Sequence, residues 1–241
     1  MSCAVYDTAW VSLVTKPVPS TAQPTKEYLF PQSFQYILDA QLPSGGWAAT
    51  GSAVDGILNT AASLLSLSRH LKEPLQLQTL IAESELQSRI SRATDSLKAQ
   101  LQIWDVGSAS HVGFEIIVPA LLSYLQDEGF SFVFPGREEL LRLQSQKLTG
   151  FKPAYLYTSQ KSTALHSLEA FVGVIEFDKV AHHAVLGAMM ASPSSTAAYL
   201  MHASTWDDAA EGYLGHVVSL GQGGVPSAYP STFFEYTWVS A

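Results

Sequence analysis

Apolar residues recur along most of this chain at intervals of three and four, the spacing that puts them on one side of a helix. From Phe30 onward, Phe34, Ile37, Leu38 and Leu42 keep that step. Ile57, Ala61, Leu64, Leu65 and Leu67 repeat it with a more apolar background, and Leu86, Ile90, Ala93, Leu97, Leu101 and Trp104 carry it through a long third segment. Ile116 to Leu125 is almost continuously apolar, which predicts a central helix. Val180–Met190, Ser194–His202 and Trp206–Leu220 complete the helical candidates. The alternation that marks a strand is confined to Phe130–Phe134.

The interruptions are written in proline and glycine. Pro17, Pro19 and Pro24 lie in a Thr/Ser-rich stretch that reads as a loop. Pro43-Ser44-Gly45-Gly46 and Gly221–Pro230 read as turns, and Lys147–Thr163 as a polar surface connection. Roughly ten helices joined by short links, with no clean internal repeat, predict an all-α chain whose helices pair into a ring or barrel, an αα arrangement.

Composition narrows the chemistry. Apolar residues make up 47% of the chain and charged ones 14%, so a large share of the surface is expected to be buried, in part against a neighbouring domain. No apolar run reaches the ~20 residues of a membrane span. The opening lacks the basic region of a secretory signal, and Asp7 breaks its apolar part. Cys3 is the single cysteine, which excludes an intrachain disulfide and a cysteine-based zinc site and points to a reducing, cytoplasmic setting. A net charge of −8 without a basic block argues against nucleic acid and anionic membranes as partners. An acidic chain still accommodates a diphosphate where Mg2+ bridges the two.

Three groups carry candidate chemistry. Asp207, Asp208 and Glu211 have the spacing of an Asp-Asp-x-x-Glu cluster able to hold Mg2+, with an aspartate and Glu211 sharing a helix face. The competing and favoured reading makes Ser204 or Thr205 an N-cap and places both aspartates in the first helical turn. Glu115 enters a long apolar helix, where a carboxylate needs a basic partner, protein donors or a cation. His166 lies on an apolar helix, where a lone histidine is more often a satisfied core residue. His182 and His183 are neighbours and point apart. Nucleotide-binding, His-Glu-x-x-His and Gly-x-Ser-x-Gly motifs are absent from the sequence. Trp47, Trp206, Phe234 and Tyr236 are candidates to face a hydrocarbon and stabilise a cation over their rings.

Several of these pieces stand together in one known order. Val5-Tyr-Asp-Thr-Ala-Trp-Val11, Phe30-Pro31, the Gln41-Leu-Pro-Ser-Gly-Gly-Trp47 turn, Gly113-Phe-Glu-Ile-Ile-Val-Pro119, Leu165-His-Ser-Leu-Glu-Ala170, Ser192–Leu200 and Gly223–Pro230 follow one another along nearly the whole chain. The set resembles the N-terminal part of fungal class II diterpene cyclases of the bifunctional copalyl diphosphate/ent-kaurene synthase type. The resemblance implies a single helical domain over residues 1–241, the γ domain, with the edge of a β domain at its C-terminal end. It implies protonation-initiated cyclisation of geranylgeranyl diphosphate to copalyl diphosphate, with Mg2+ as companion of the diphosphate, and in bifunctional members ionisation by a further α domain to a hydrocarbon such as ent-kaurene. Glu115 then corresponds to a residue that helps bind the Mg2+–diphosphate group. His166 corresponds to a histidine that helps a water remove the last proton. Its asparagine partner in a Gly-Gly-Val-Pro-Asn segment is replaced by Ser227.

The family's acid comes from an Asp-x-Asp-Asp motif of the β domain, and that motif is absent from these 241 residues. The last residues, Phe233–Ala241, read as an apolar helix cut off before a cap, leading in relatives into the β domain. The isolated chain is therefore expected not to cyclise its substrate. Two other readings remain open: a non-catalytic or decayed module that docks on a separate cyclase chain, and a diphosphate-ionising class I synthase using Asp207, Asp208 and Glu211.

Overall fold

The computed structural model describes residues 2–18, 25–109 and 111–230. Its centre is a helix that the apolar periodicity does not announce. In α1, Val5–Ser12, every residue from Asp7 onward is buried, so no polar face survives to give the pattern an edge. Helix α1 packs against α2 (Pro31–Asp39), α3 (Ala53–Lys72) and α7 (Pro193–His202). Between α1 and α2 the chain makes an antiparallel hairpin, β1 (Thr15–Val18) with β2 (Thr25–Tyr28). Pro17 thus sits in a strand where a loop is expected; Pro19 and Pro24 lie outside the described residues.

The long helices form as the sequence requires. Helix α3 starts in a capping box, Ser52 accepting from the Asp55 N–H while the Asp55 carboxylate accepts from Ser52 N–H. Helix α4, Glu83–Ile103, buries the stripe Leu86, Ile90, Ala93, Leu97 and Leu101 against α3. Leu42 falls past the end of α2 and is exposed, because Ala40 closes that helix. The Gln41–Trp47 turn ties three helices together, with the Trp47 N–H donating to Thr60 Oγ1 of α3. Gln41 Nε2 donates to the carbonyls of Gly45 and Arg89, and Trp47 Nε1 donates to Ile37. Gly45 has φ +90°, and a Cβ there would stand 2.3 Å from the Arg92 carbonyl oxygen, so the turn closes on α4 only with glycine. Trp47 is accordingly a core residue.

Helix α5, Phe114–Asp127, packs on α3 and on α6, Arg137–Leu148. Helix α5 is central on one face only: Val118, Leu121 and Leu125 are buried, while Ile116, Ala120 and Leu122 line an open cavity of about 750 Å³ shared with α6. Helix α6 escapes the periodicity because its stripe is thin and Leu140 is its one buried residue. Phe130–Phe134 alternates in burial without becoming a strand; Phe132 and Phe134 turn inward, and among the described residues no strand pairs with the segment.

The expected helix over Val180–Met190 is a 3-10 segment, Phe177–His183, followed by a small hairpin of β3 (Ala184–Val185) and β4 (Ala188–Met189). Leu186 and Gly187 form its turn with φ of 51° and 82°, the left-handed pair that a two-residue hairpin demands. Helix α8, Asp208–Leu220, packs on α7 and closes the described fold. Among the described residues the architecture is all-α apart from these two hairpins, with helices paired around α1. Among the described residues no helix is long and apolar enough to cross a membrane.

Candidate functional site

His166 sits on a 3-10 segment, Thr163–Phe171, kinked at Ser167, rather than on the expected α-helix. Leu165 and Leu168 anchor the segment in the core. Ser195 of α7 stitches it down: its hydroxyl donates to the Leu165 carbonyl at 2.7 Å and accepts from Leu168 N–H at 3.2 Å. Between these anchors His166 is half-buried, and its Nδ1 lies 3.1 Å from the carbonyl oxygen of Met190.

The Gly223–Ser227 segment approaches the same region from the other end of the chain. Val225 N–H donates to Thr8 Oγ1, Ala4 N–H donates to the Val225 carbonyl, and Ser33 Oγ donates to the Gly223 carbonyl. Gly223 has φ +105°, and a Cβ there would lie 2.5 Å from the Gln32 carbonyl oxygen. Ser227 itself is exposed. Two residues later Tyr229 N–H donates to the Ala191 carbonyl, next to the Met190 carbonyl that holds His166. The structure therefore gathers His166 and the Ser227 segment around one turn.

Behind His166 lies a polar cluster that helical patterning does not reveal. Glu169 is buried and accepts from the Tyr6 hydroxyl at 2.9 Å, while its Oε2 finds no hydrogen-bond partner among the described residues. Asp7, also buried, accepts from Ser194 N–H. Burial pushes the Glu169 carboxyl up to about 8, and the neighbouring Asp7 charge adds to it. Burial raises Asp7 to about 6, moderated by Ser194 and by the nearby His166. Both acids lie inside sequence blocks that match the family, which was the only signal available for them.

Glu115 stands apart from His166. It occupies the first turn of α5, beside a cavity of about 390 Å³ that Phe114, Leu143 and Lys147 also line. Its partner is Lys147 of α6, at 3.0 Å. Pro119 has no N–H to return to the Glu115 carbonyl four residues earlier, so the backbone of this turn is also incompletely bonded within the helix. The carboxylate and the lysine together present both signs of charge at one cavity mouth.

Asp207 is itself the N-cap of α8, the place expected for Ser204 or Thr205. Its Oδ1 accepts from Ala209 and Ala210 N–H, and Oδ2 accepts from the Tyr199 hydroxyl. Asp208 is the first helical residue. Glu211 accepts from Trp206 Nε1 and pairs with Lys16 of β1, whose ammonium lies over the Trp206 ring. Partial burial pushes the Glu211 carboxyl up, and the Lys16 ammonium and Trp206 N–H pull it below its ordinary value. Among the described residues no group of three or more His, Cys, Asp and Glu side chains is placed to hold a metal ion. Phe234 and Tyr236 lie outside the described residues.

Sequence comparison decides what this frame is part of. The chain is 59% identical over 242 residues to a copalyl diphosphate synthase of Talaromyces verruculosus, and 56% identical over 244 residues to a phyllocladan-16-alpha-ol synthase of Phomopsis amygdali. Each match covers 99% of this chain. The chain belongs to the fungal diterpene-cyclase family, and its place there is the N-terminal region. It spans about a quarter of the length of these relatives, 25% and 24%. The fold agrees: the crystal structure of ent-copalyl diphosphate synthase from Arabidopsis thaliana, in complex with (S)-15-aza-14,15-dihydrogeranylgeranyl thiolodiphosphate, superposes with a TM-score of 0.77 at 25% identity, over 99% of this chain and 32% of that one. No protein-family model matches the chain.

Proposed function

We propose that the chain is the N-terminal portion of a diterpene cyclase that converts geranylgeranyl diphosphate to copalyl diphosphate by protonating its terminal alkene. The observation that carries this is the 59% identity to a copalyl diphosphate synthase across 99% of the chain. In this reading the chain corresponds to a γ domain with the edge of a β domain. It supplies part of the pocket wall, and a β domain supplies the acid. His166 and Ser227 serve the terminal deprotonation, and Glu115 faces the diphosphate end.

The donor set does not form a resident Mg2+ site among the described residues. Glu115 offers one carboxylate, already paired with Lys147. That suits an indirect contribution to a Mg2+–diphosphate unit whose other ligands are phosphate and water. The class I reading finds little support: the side chains of Asp207 and Glu211 are committed to an N-cap, a tyrosine, a tryptophan and a lysine. The groove between α5 and α6 leaves Ile116, Ala120 and Leu122 half-buried, a surface suited to cover by the rest of such a protein.

Without a positioned acid the chain lacks a contribution worth ~10²–10⁴-fold or more. Incubated alone with geranylgeranyl diphosphate and Mg2+, it is expected to yield no copalyl diphosphate. A chimera in which it replaces the matching quarter of the Talaromyces verruculosus enzyme is expected to make that product. An inactive but folded chimera overturns the proposal.

A further inference from the structure

The carbonyl that holds His166 is delivered by a strained turn. Met190 and Ala191 are consecutive non-glycine residues with φ of 48° and 57°, a left-handed pair that L side chains rarely adopt. Something must hold them there, and the bonds identify it. Ser192 N–H closes the turn on the Met189 carbonyl, and Tyr229 N–H donates to the Ala191 carbonyl at 2.8 Å. The Tyr213 hydroxyl, on α8, lies 3.2 Å from the Ala191 carbonyl oxygen and 3.0 Å from that of Tyr229. One buried hydroxyl therefore shares its proton between the two sides of the site, the turn under His166 and the segment that carries Ser227.

The chemistry of the contact fixes the imidazole. A carbonyl oxygen only accepts, so Nδ1 of His166 must donate to Met190. In the neutral ring the lone pair is then on Nε2. We propose that Tyr213 is a positioning residue: by clamping the Met190–Ala191 turn to the Tyr229 segment it holds His166 as the Nδ1–H tautomer, with Nε2 free to accept a proton. Tyr213 touches no reacting atom in this scheme and acts through the Met190 carbonyl. The functional meaning of the free Nε2 rests on the cyclase reading above; the tautomer and its dependence on Tyr213 do not.

The test is the ring ¹⁵N spectrum of the whole chain without substrate, with the His166 signals assigned by their loss in His166→Gln. The unaltered chain is expected to show His166 protonated at Nδ1. Tyr213→Phe, which removes only the hydroxyl, is expected to bring up the Nε2–H form beside it. Tyr28→Phe removes another buried hydroxyl, bonded to the distant Glu73 carbonyl, and is expected to leave His166 unchanged. An unchanged tautomer in folded Tyr213→Phe overturns the proposal. Should that variant fail to fold, the unaltered chain still decides, because Nε2–H there overturns it outright. An active chimera with the wrong tautomer sinks the positioning role and spares the cyclase reading; an inactive chimera with the expected tautomer does the reverse.

Discussion

Glu169 is a carboxylic acid with 1% of its surface exposed, and burial holds it protonated up to about pH 8. Folding therefore takes up a proton wherever the unfolded glutamic acid is ionised and the folded one is not. Stability from this group is complete below the ordinary carboxylate pKa and is lost as pH rises through about 8. Asp7 acts in the same direction up to about 6. His70 opposes them. Burial lowers its pKa to about 4, so its contribution is complete above the ordinary histidine value and is lost as pH falls toward 4. It stays neutral between Tyr28 and Phe34, with ring centroids at 4.0 and 3.7 Å. The effects overlap in acid, which leaves pH 6.5 to 8 to Glu169. Across that interval the unfolding free energy is expected to fall by about 2 kcal/mol, at 1.36 kcal/mol per unit. Urea melts at several pH values check this. Glu169→Gln keeps an acceptor for Tyr6 and is expected to flatten the slope; a slope as steep as before refutes the assignment.

At the level of elements, the start of α8 separates two uses of the same aspartate. As an N-cap, Asp207 is replaceable by asparagine, whose side-chain oxygen also accepts from the first-turn N–H groups, but not by alanine. Asp207→Ala is expected to cost ~1 kcal/mol and Asp207→Asn only a few tenths, read by thermal or urea unfolding. Equal losses in the two variants would count against the cap. The sequence placed this helix and its acidic first turn correctly but chose Ser204 or Thr205 as the cap, since sequence shows which residues are able to cap and not where the chain bends. The same limit explains the other differences. Helices α3, α4 and α7 were legible from periodicity, capping residues or both. Helix α1 was not, because burial on all sides erases the polar face that defines a stripe. Val180–Met190 reads as helix by composition, yet Leu186-Gly187 makes a turn that packs against α8; a Cβ on Gly187 would meet the Ala209 carbonyl oxygen at 2.1 Å. For the candidate site, motif order singled out His166, Glu115 and the Ser227 segment as the residues to weigh. The partners that orient them, Met190, Lys147 and Tyr213, come from distant elements and became visible only with the fold.

For the molecule as a whole, the two faces of α5 answer whether the chain is a complete folding unit or one wall of a larger one. Leu121 is enclosed between helices, with 1% of its surface exposed. Its neighbour Leu122 lines the open cavity beside α6. In the isolated chain Leu121→Ala is expected to cost ~2–5 kcal/mol, from lost transfer energy and an unfilled void. Leu122→Gln is expected to cost under ~1 kcal/mol there, because its side chain is already partly in water. A covering domain changes the second figure and not the first. In the chimera with the Talaromyces verruculosus enzyme, a glutamine at Leu122 under cover loses water without gaining a designed partner, which costs ~1–3 kcal/mol. The comparison is a difference of differences: unfolding of Leu122→Gln against the unaltered sequence, measured once in the chain and once in the chimera. A penalty that grows in the chimera identifies this groove as a covered face of the larger protein. The same small penalty in both leaves the groove facing solvent and moves the domain contact to another surface.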